Sequence, residues 1–201
     1  MARKTKPADP RAAIVETALR LAAEGRWRGL SLDDLAKEAA LPVSEVYAQF
    51  ETPAHVAAAI LASAVAASMD APPPETSLSP KDRLFDAAMN VLDALKDRRA
   101  ALGAMLAAYR FRPLAGAPVL GALARFARVA LERAGIDAGG AAGAARIAAL
   151  SRSLWLVLQV FGGDDEGLSR TMAALDTRLR EAEGWAKRFG WGAKPESARS
   201  P

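Results

Sequence analysis

Leu30-Ser31-Leu32-Asp33-Asp34-Leu35-Ala36-Lys37-Glu38-Ala39-Ala40-Leu41-Pro42-Val43-Ser44-Glu45-Val46-Tyr47-Ala48-Gln49-Phe50 is the stretch whose reading decides the fold. Ser31 followed by two acids is a capping-box-like helix start. Leu32, Leu35, Ala36 and Ala39 then repeat at helical spacing, so one face of this helix is apolar. Pro42 disfavours helical backbone at Leu41. The helix therefore stops at Ala40-Leu41-Pro42, and a short one follows from about residue 42 to 49. Two short helices around a tight turn have helix-turn-helix spacing.

Working outward from it, helical periodicity continues in both directions and no window alternates like a strand for long. Upstream, Asp9 and Pro10 announce a helix with Ile14, Ala18, Leu21 and Ala22 on one face, Gly25 suits its end, and Trp27 lies in the connection. Downstream, Pro53 opens a fourth helix inside residues 52–69, 18 residues without Asp, Glu, Lys or Arg. That length reaches the lower bound for a membrane span, but alanine dominates and Pro53, His55, Ser63 and Ser68 interrupt it, so it reads as a packed helix of a soluble domain. Residues 70–80 hold four prolines and form a linker or exposed loop. Ser79-Pro80-Lys81-Asp82 caps a fifth helix carrying Leu84, Phe85, Ala88, Leu92 and Leu95. A sixth is expected over 98–111, a seventh after Pro113 and Pro118 ending at Gly135, an eighth over 141–161 and a ninth over 165–189.

The expected fold is thus all-α, about nine helices: a helix-turn-helix three-helix unit in residues 1–52, a helical region in 53–190 that carries a dimerisation seam, and a flexible tail in 191–201. In the ninth helix Leu168, Met172, Leu175, Leu179, Ala182, Ala186 and Phe189 form a four-three seam. The eighth ends apolar all round, from Leu154 to Phe161. A partner subunit covering both helices in a four-helix interface explains this, with Leu154, Leu158, Phe161, Met172, Leu175 and Leu179 as the expected contacts.

Composition removes most catalytic chemistry. The 201 residues are 51% hydrophobic and 25% charged, with no cysteine and one histidine. Disulfide scaffolds, thiolate metal sites, cysteine nucleophiles and two-histidine metal sites are excluded, and any Ser-His-Asp triad would hang on His55. No enzyme activity, cofactor or metal is expected. A net charge of +4 permits nucleic acid or anionic lipid as partner. No apolar stretch follows the charged N-terminus, so a secretory signal is not read there and a cytoplasmic location is expected.

The quoted stretch resembles the TetR family of bacterial one-component transcriptional regulators. Ser31, Leu35-Ala36, Ala39, Leu41, Val46-Tyr47 and Phe50 fit that family's helix-turn-helix pattern, and the resemblance covers about the first sixty residues. It implies a homodimer on a pseudo-palindromic double-stranded DNA operator, the short third helices in successive major grooves, released when a small apolar effector occupies the distal bundle. By position it implies phosphate contacts from Ser31 and Tyr47 and base-facing positions for Pro42, Val43, Ser44 and Ala48. Arg3, Lys4 and Lys6 would form an N-terminal arm.

The stretch also departs from the pattern. Ala40 stands where the turn glycine is usual, Pro42 where a polar residue starts the reading helix, and Pro53 where a lysine is usual. Residues 31–60 carry one lysine against five acids, while the first thirty residues are net basic and offer what phosphate neutralisation there is. A second, shorter resemblance joins the distal region (Trp155, Asp164-Asp165-Glu166, Thr171-Met172-Ala173-Ala174-Leu175-Asp176) to ubiquinone-biosynthesis accessory proteins, TetR-like in fold, which bind isoprenoid lipid rather than DNA. It leaves a lipid-binding accessory protein as the alternative function.

Phe85, Met89, Met105, Leu106, Tyr109, Phe126 and Trp155 are candidate walls of an apolar pocket, with Tyr109 and Trp155 as its polar handles. Each would equally serve as ordinary core. His55 reads as a helix-start histidine, Asp164-Asp165-Glu166 as a helix-capping run rather than a cation site, and Arg98-Arg99 as a solvated helix start. Gly139-Gly140 with Gly143 follows no strand and carries no dinucleotide reading. Trp185 and Trp191, beside Lys187 and Arg188, pack the last helix or meet a membrane interface; membrane contact is not expected.

Overall fold

The computed structural model of the chain describes residues 9–188, with side chains through Gly184. Among these residues nine α-helices and no strand occur: α1 (Pro10–Ala23), α2 (Leu32–Ala39), α3 (Val43–Gln49), α4 (Pro53–Ser68), α5 (Pro80–Ala94), α6 (Arg99–Ala107), α7 (Ala117–Arg133), α8 (Gly140–Phe161) and α9 (Ser169–Arg188). The all-α expectation is met. The arm residues Arg3, Lys4 and Lys6, the Trp185, Lys187 and Arg188 side chains, and Phe189 and Trp191 lie outside the described residues.

Helix α1 starts where its cap dictates: the Asp9 carboxylate accepts the Arg11 amide at 2.9 Å and the Ala12 amide at 3.3 Å. Its inner face (Ile14, Ala18, Leu21, Ala22) meets Leu35 and Ala36 of α2 and Val46 of α3 in one core with Trp27 and Phe50. Helix α4 then leaves the unit at 52° to α3. Its charge-free sequence is explained by burial: Val56, Ala57, Ile60, Leu61 and Val65 are all covered. Alanine at so many positions brings neighbouring helices close, and α4 packs most extensively against α7. Each fully buried branched side chain here is worth about 1.5–3 kcal/mol. The proline-rich connection after α4 is tied down, since Arg133 of α7 donates to the carbonyls of Met69 (3.3 Å), Ala71 (2.6 Å) and Pro72 (2.9 Å).

Three expectations move. The sixth helix is shorter than 98–111: a 3-10 turn over Lys96–Arg98 precedes it and it ends at Ala107. Beyond that, Tyr109 to Gly116 runs in turns to Pro118 in the first turn of α7. Arg98 and Arg99 are not simply solvated: Arg98 lies 3.5 Å from Glu16 of α1, and Arg99 donates to the Asp164 carbonyl at 3.0 Å. The ninth helix begins at Ser169, four residues late, because Leu168 takes a left-handed conformation (φ 54°) and Asp164 folds back to cap the helix from the preceding loop. The Asp164 carboxylate accepts the Thr171 amide and hydroxyl, each at 2.7 Å, the Asp165 amide at 2.9 Å and Arg170 Nε at 3.2 Å.

The expected subunit seam is corrected in detail. Leu154, Leu158, Phe161, Leu175 and Leu179 are buried within the chain itself. Helix α9 lays its apolar stripe onto α8 and α5 of its own protomer, helped by an ion pair from Lys81 to Asp176 at 3.0 Å. Of the six residues only Met172 is exposed, at 36%.

Candidate nucleic-acid interface and ligand cleft

The turn between α2 and α3 is built from the residues that departed from the family pattern. Ala40 caps α2 in the left-handed region (φ 54°), its amide on the Lys37 carbonyl (3.2 Å) and the Leu41 amide on the Ala36 carbonyl (3.0 Å). Glycine is the usual residue in that conformation, but a single alanine is possible at an energetic cost. Leu41 plugs the core, and Pro42 starts α3. Helix α3 buries Val46 and turns Pro42, Val43, Ser44, Tyr47, Ala48 and Gln49 outward. Val43 is 41% and Tyr47 51% exposed. The five sequence-read positions on this helix therefore share one open face. Gln49, which the sequence reading passed over, joins them and is the helix's one amide side chain. Arg11 braces its far end, with the guanidinium 4.6 Å from the Phe50 ring centre and 3.4 Å from the Gln49 carbonyl.

Ser31 is fully engaged: its hydroxyl accepts the Asp34 amide at 3.1 Å and donates to Oδ2 at 2.6 Å, and its own amide donates to the same oxygen at 3.2 Å. Those bonds from Ser31 hold the Asp34 carboxyl below its usual range. A phosphate at this helix end would meet first-turn backbone amides rather than the Ser31 hydroxyl. The acidity of the motif is partly neutralised from within the three-helix unit. Glu38 is hydrogen-bonded by Arg26 and by Arg20 (3.1 Å), and both its acidity and that of Glu24 are strengthened by these arginines. Arg28, three residues before Ser31, is exposed and has no hydrogen bond or ion pair among the described residues. It was missed because the sequence reading began at the helix cap; the Arg28-Gly29 step before that cap was the available signal. His55 bonds Thr52 Oγ1 through Nδ1 at 3.0 Å, as a helix-start histidine does.

Two open clefts adjoin the distal helices among the described residues. One, about 470 Å³, lies between the end of α3, α4 and α7, with Arg11, His55 and Arg125 among its walls. The other, about 660 Å³, lies between the 109–116 turn, α7 and α8. Of the seven expected pocket residues, Tyr109 and Trp155 line the larger cleft. Met105, Leu106 and Phe126 are fully buried core, and Phe85 and Met89 are half-buried on α5 and line neither cleft. The small side chains of α4 let its neighbours fill the centre with those residues. Leu120, Ile147, Arg110, Arg128 and Arg152 complete the larger cleft. Burial pushes the Tyr109 phenol up, opposed by the nearby Trp27 indole and by Arg112. Among the described residues no three His, Asp or Glu side chains are grouped as a metal site requires.

No family model matches the chain, and no curated protein matches it significantly. Solved structures do. A TetR transcriptional regulator from Nitrosomonas europaea superposes with a TM-score of 0.63 at 22% identity, covering 88% of this chain and 99% of that one. Another from Rhodococcus sp. RHA1 gives 0.59 at 21% identity, with 88% and 96% covered. Over nearly its described length the chain has the fold of TetR regulators.

Proposed function

We propose that this chain is a cytoplasmic DNA-binding transcriptional regulator of TetR type, a repressor that acts as a homodimer and leaves its operator when a small ligand occupies the distal bundle. The observation that carries the reading is the open face of α3. A seven-residue helix is held by a capped partner helix and a tight turn, and among the described residues it presents Val43, Ser44, Tyr47, Ala48 and Gln49 exposed. Gln49 suits an adenine edge, Val43 and Ala48 suit thymine methyls, and Tyr47 and Arg28 suit phosphates.

Dimerisation is supported by α8. It is long and apolar enough to cross a membrane by length and composition, yet only 28% of its most apolar stretch is buried in the protomer. On the side away from the larger cleft, Ala149, Ser153, Leu156 and Val160 recur at four-three spacing and are exposed or half-buried. A second copy covering this row satisfies it and spaces two α3 helices for successive grooves. The test is selection of bound fragments from random and genomic DNA at two salt concentrations. Enrichment of a palindrome that survives moderate salt is the expected result. No enrichment, or weak binding abolished by salt, overturns the reading and leaves the lipid-binding alternative.

A further inference from the structure

We propose that the larger cleft binds an anionic amphiphile, a carboxylate or phosphate head on an apolar tail. This names the ligand class for the effector site of the regulator reading and rests on that reading only for the consequence at DNA.

Charge and shape argue together. The cleft's volume of about 660 Å³ lies within the usual range for small-molecule sites. Leu120, Ile147 and Trp155 give it an apolar lining, while Arg110, Arg128 and Arg152 stand in its walls and no carboxylate does. Between Asp97 and Glu132 the chain carries six arginines and no acid, and between Asp137 and Asp164 two arginines and no acid. Arg152 has no partner among the described residues. Arg110 rests only on the Phe111 ring, 5.5 Å from its centre, and Arg128 lies 3.6 Å from Glu132. Two unneutralised guanidiniums beside apolar walls recognise an anionic head bidentately, a gain that a neutral apolar ligand forgoes. The apolar track continues outward on the same turn through Phe111 and Leu114, 84% and 92% exposed.

The test titrates the full chain calorimetrically with decanoate, decyl phosphate, decanol and decyltrimethylammonium, all below their aggregation concentrations, and with phosphatidylglycerol vesicles. Either anion is expected to bind at least about tenfold more tightly than decanol, the scale of a charged hydrogen bond. A preference between the two anions separates a fatty acid from a phosphate-bearing ligand. Arg152→Gln, an exposed and unpartnered position, should lose about tenfold for the anions and nothing for decanol. Equal affinity for decanoate and decanol, no binding of either, or binding to vesicles alone overturns the ligand class; an unaltered Arg152→Gln overturns the head-group placement. None of these readouts uses DNA, so their failure is distinguishable from failure of the regulator reading.

Discussion

Gly103 of α6 and Gly162 at the end of α8 meet backbone to backbone, and adding one methyl there has a cost that the geometry sets. A Cβ on Gly103 would lie 2.5 Å from Gly162 Cα and 3.3 Å from its carbonyl carbon; a Cβ on Gly162 would lie 2.6 Å from Gly103 Cα. Carbon atoms rest at about 3.5–4.0 Å, so the two helices must separate by about 1 Å, and no flexible side chain stands there to yield instead. Leu102, Leu106, Leu158 and Phe161 flank the crossing and are fully buried. A gap of that size forfeits roughly a quarter to a half of each affected dispersion contact. Over-packing costs about 1–3 kcal/mol, offset by about 0.5–1 kcal/mol because alanine is the better helix residue. Gly103→Ala should therefore lose about 1–2 kcal/mol in urea unfolding followed by circular dichroism, lowering Tm by about 2–8 °C. Gly121 of α7 is the matched control, since nothing lies within 4 Å of its added Cβ; Gly121→Ala should gain about 0.5–1 kcal/mol. Once Gly103→Ala has opened the crossing, Gly162→Ala should cost less than it does alone, a coupling of about 1 kcal/mol. A Gly103→Ala protein as stable as Gly121→Ala, or strictly additive costs, would falsify the close approach.

Asp164→Ala strips Thr171 of both bonds and should cost about 2–4 kcal/mol at neutral pH. Burial pushes the Asp164 carboxyl up, but Thr171, the Asp165 amide and Arg170 outweigh it and hold the folded value well below the ordinary one; the stabilisation is therefore complete above the unfolded pKa of about 3.9 and lost as pH falls below it, so the gap between wild type and variant should narrow in unfolding curves taken under acid and not under alkali. Ala40→Gly relieves the left-handed strain at φ 54° and should raise stability by about 0.5–1 kcal/mol in the same assay; a loss there would contradict the turn geometry. Leu156→Asp should yield folded monomers in sedimentation, whereas Leu179→Asp, which buries a charge in the protomer's own core, should fail to fold at all. Tyr47→Ala should weaken DNA binding equally on every sequence, because a phosphate contact carries no base information; a loss confined to one operator would reassign Tyr47 to a base.

Helix starts were legible because each is written in local chemistry: Asp9-Pro10, Ser31 with Asp34, Thr52-Pro53 and Ser79-Pro80 stand at or beside the caps of α1, α2, α4 and α5. The open face of α3 was legible for the same reason, since seven residues with one buried position, Val46, leave little choice of orientation. What failed was anything decided by a distant partner. The stripe on α9 needs a facing surface, and periodicity is identical whether α8 of the same chain or of another copy provides it. Met105, Leu106 and Phe126 look like pocket walls until the alanines of α4 are seen to let the bundle close around them. The start of α9 depended on Asp164 reaching seven residues forward to Thr171, a bond no cap pattern encodes. Arg110, Arg128 and Arg152 sit on three different elements, and only folding puts them around one cleft.

Helix α6 is where these long-range contacts converge. It ends at Ala107 rather than near residue 111, so Tyr109 leaves the helical path and lines the larger cleft. The body of α6 packs against α1. At its start Arg98 reaches Glu16 of α1, and Arg99 holds the Asp164 carbonyl in the loop that orients α9. The Gly103–Gly162 crossing locks the same helix to α8 with no side chain between them. Helix α6 therefore joins α8 to the three-helix unit along α1, through backbone contact on the α8 side and side-chain packing and an ion pair on the α1 side.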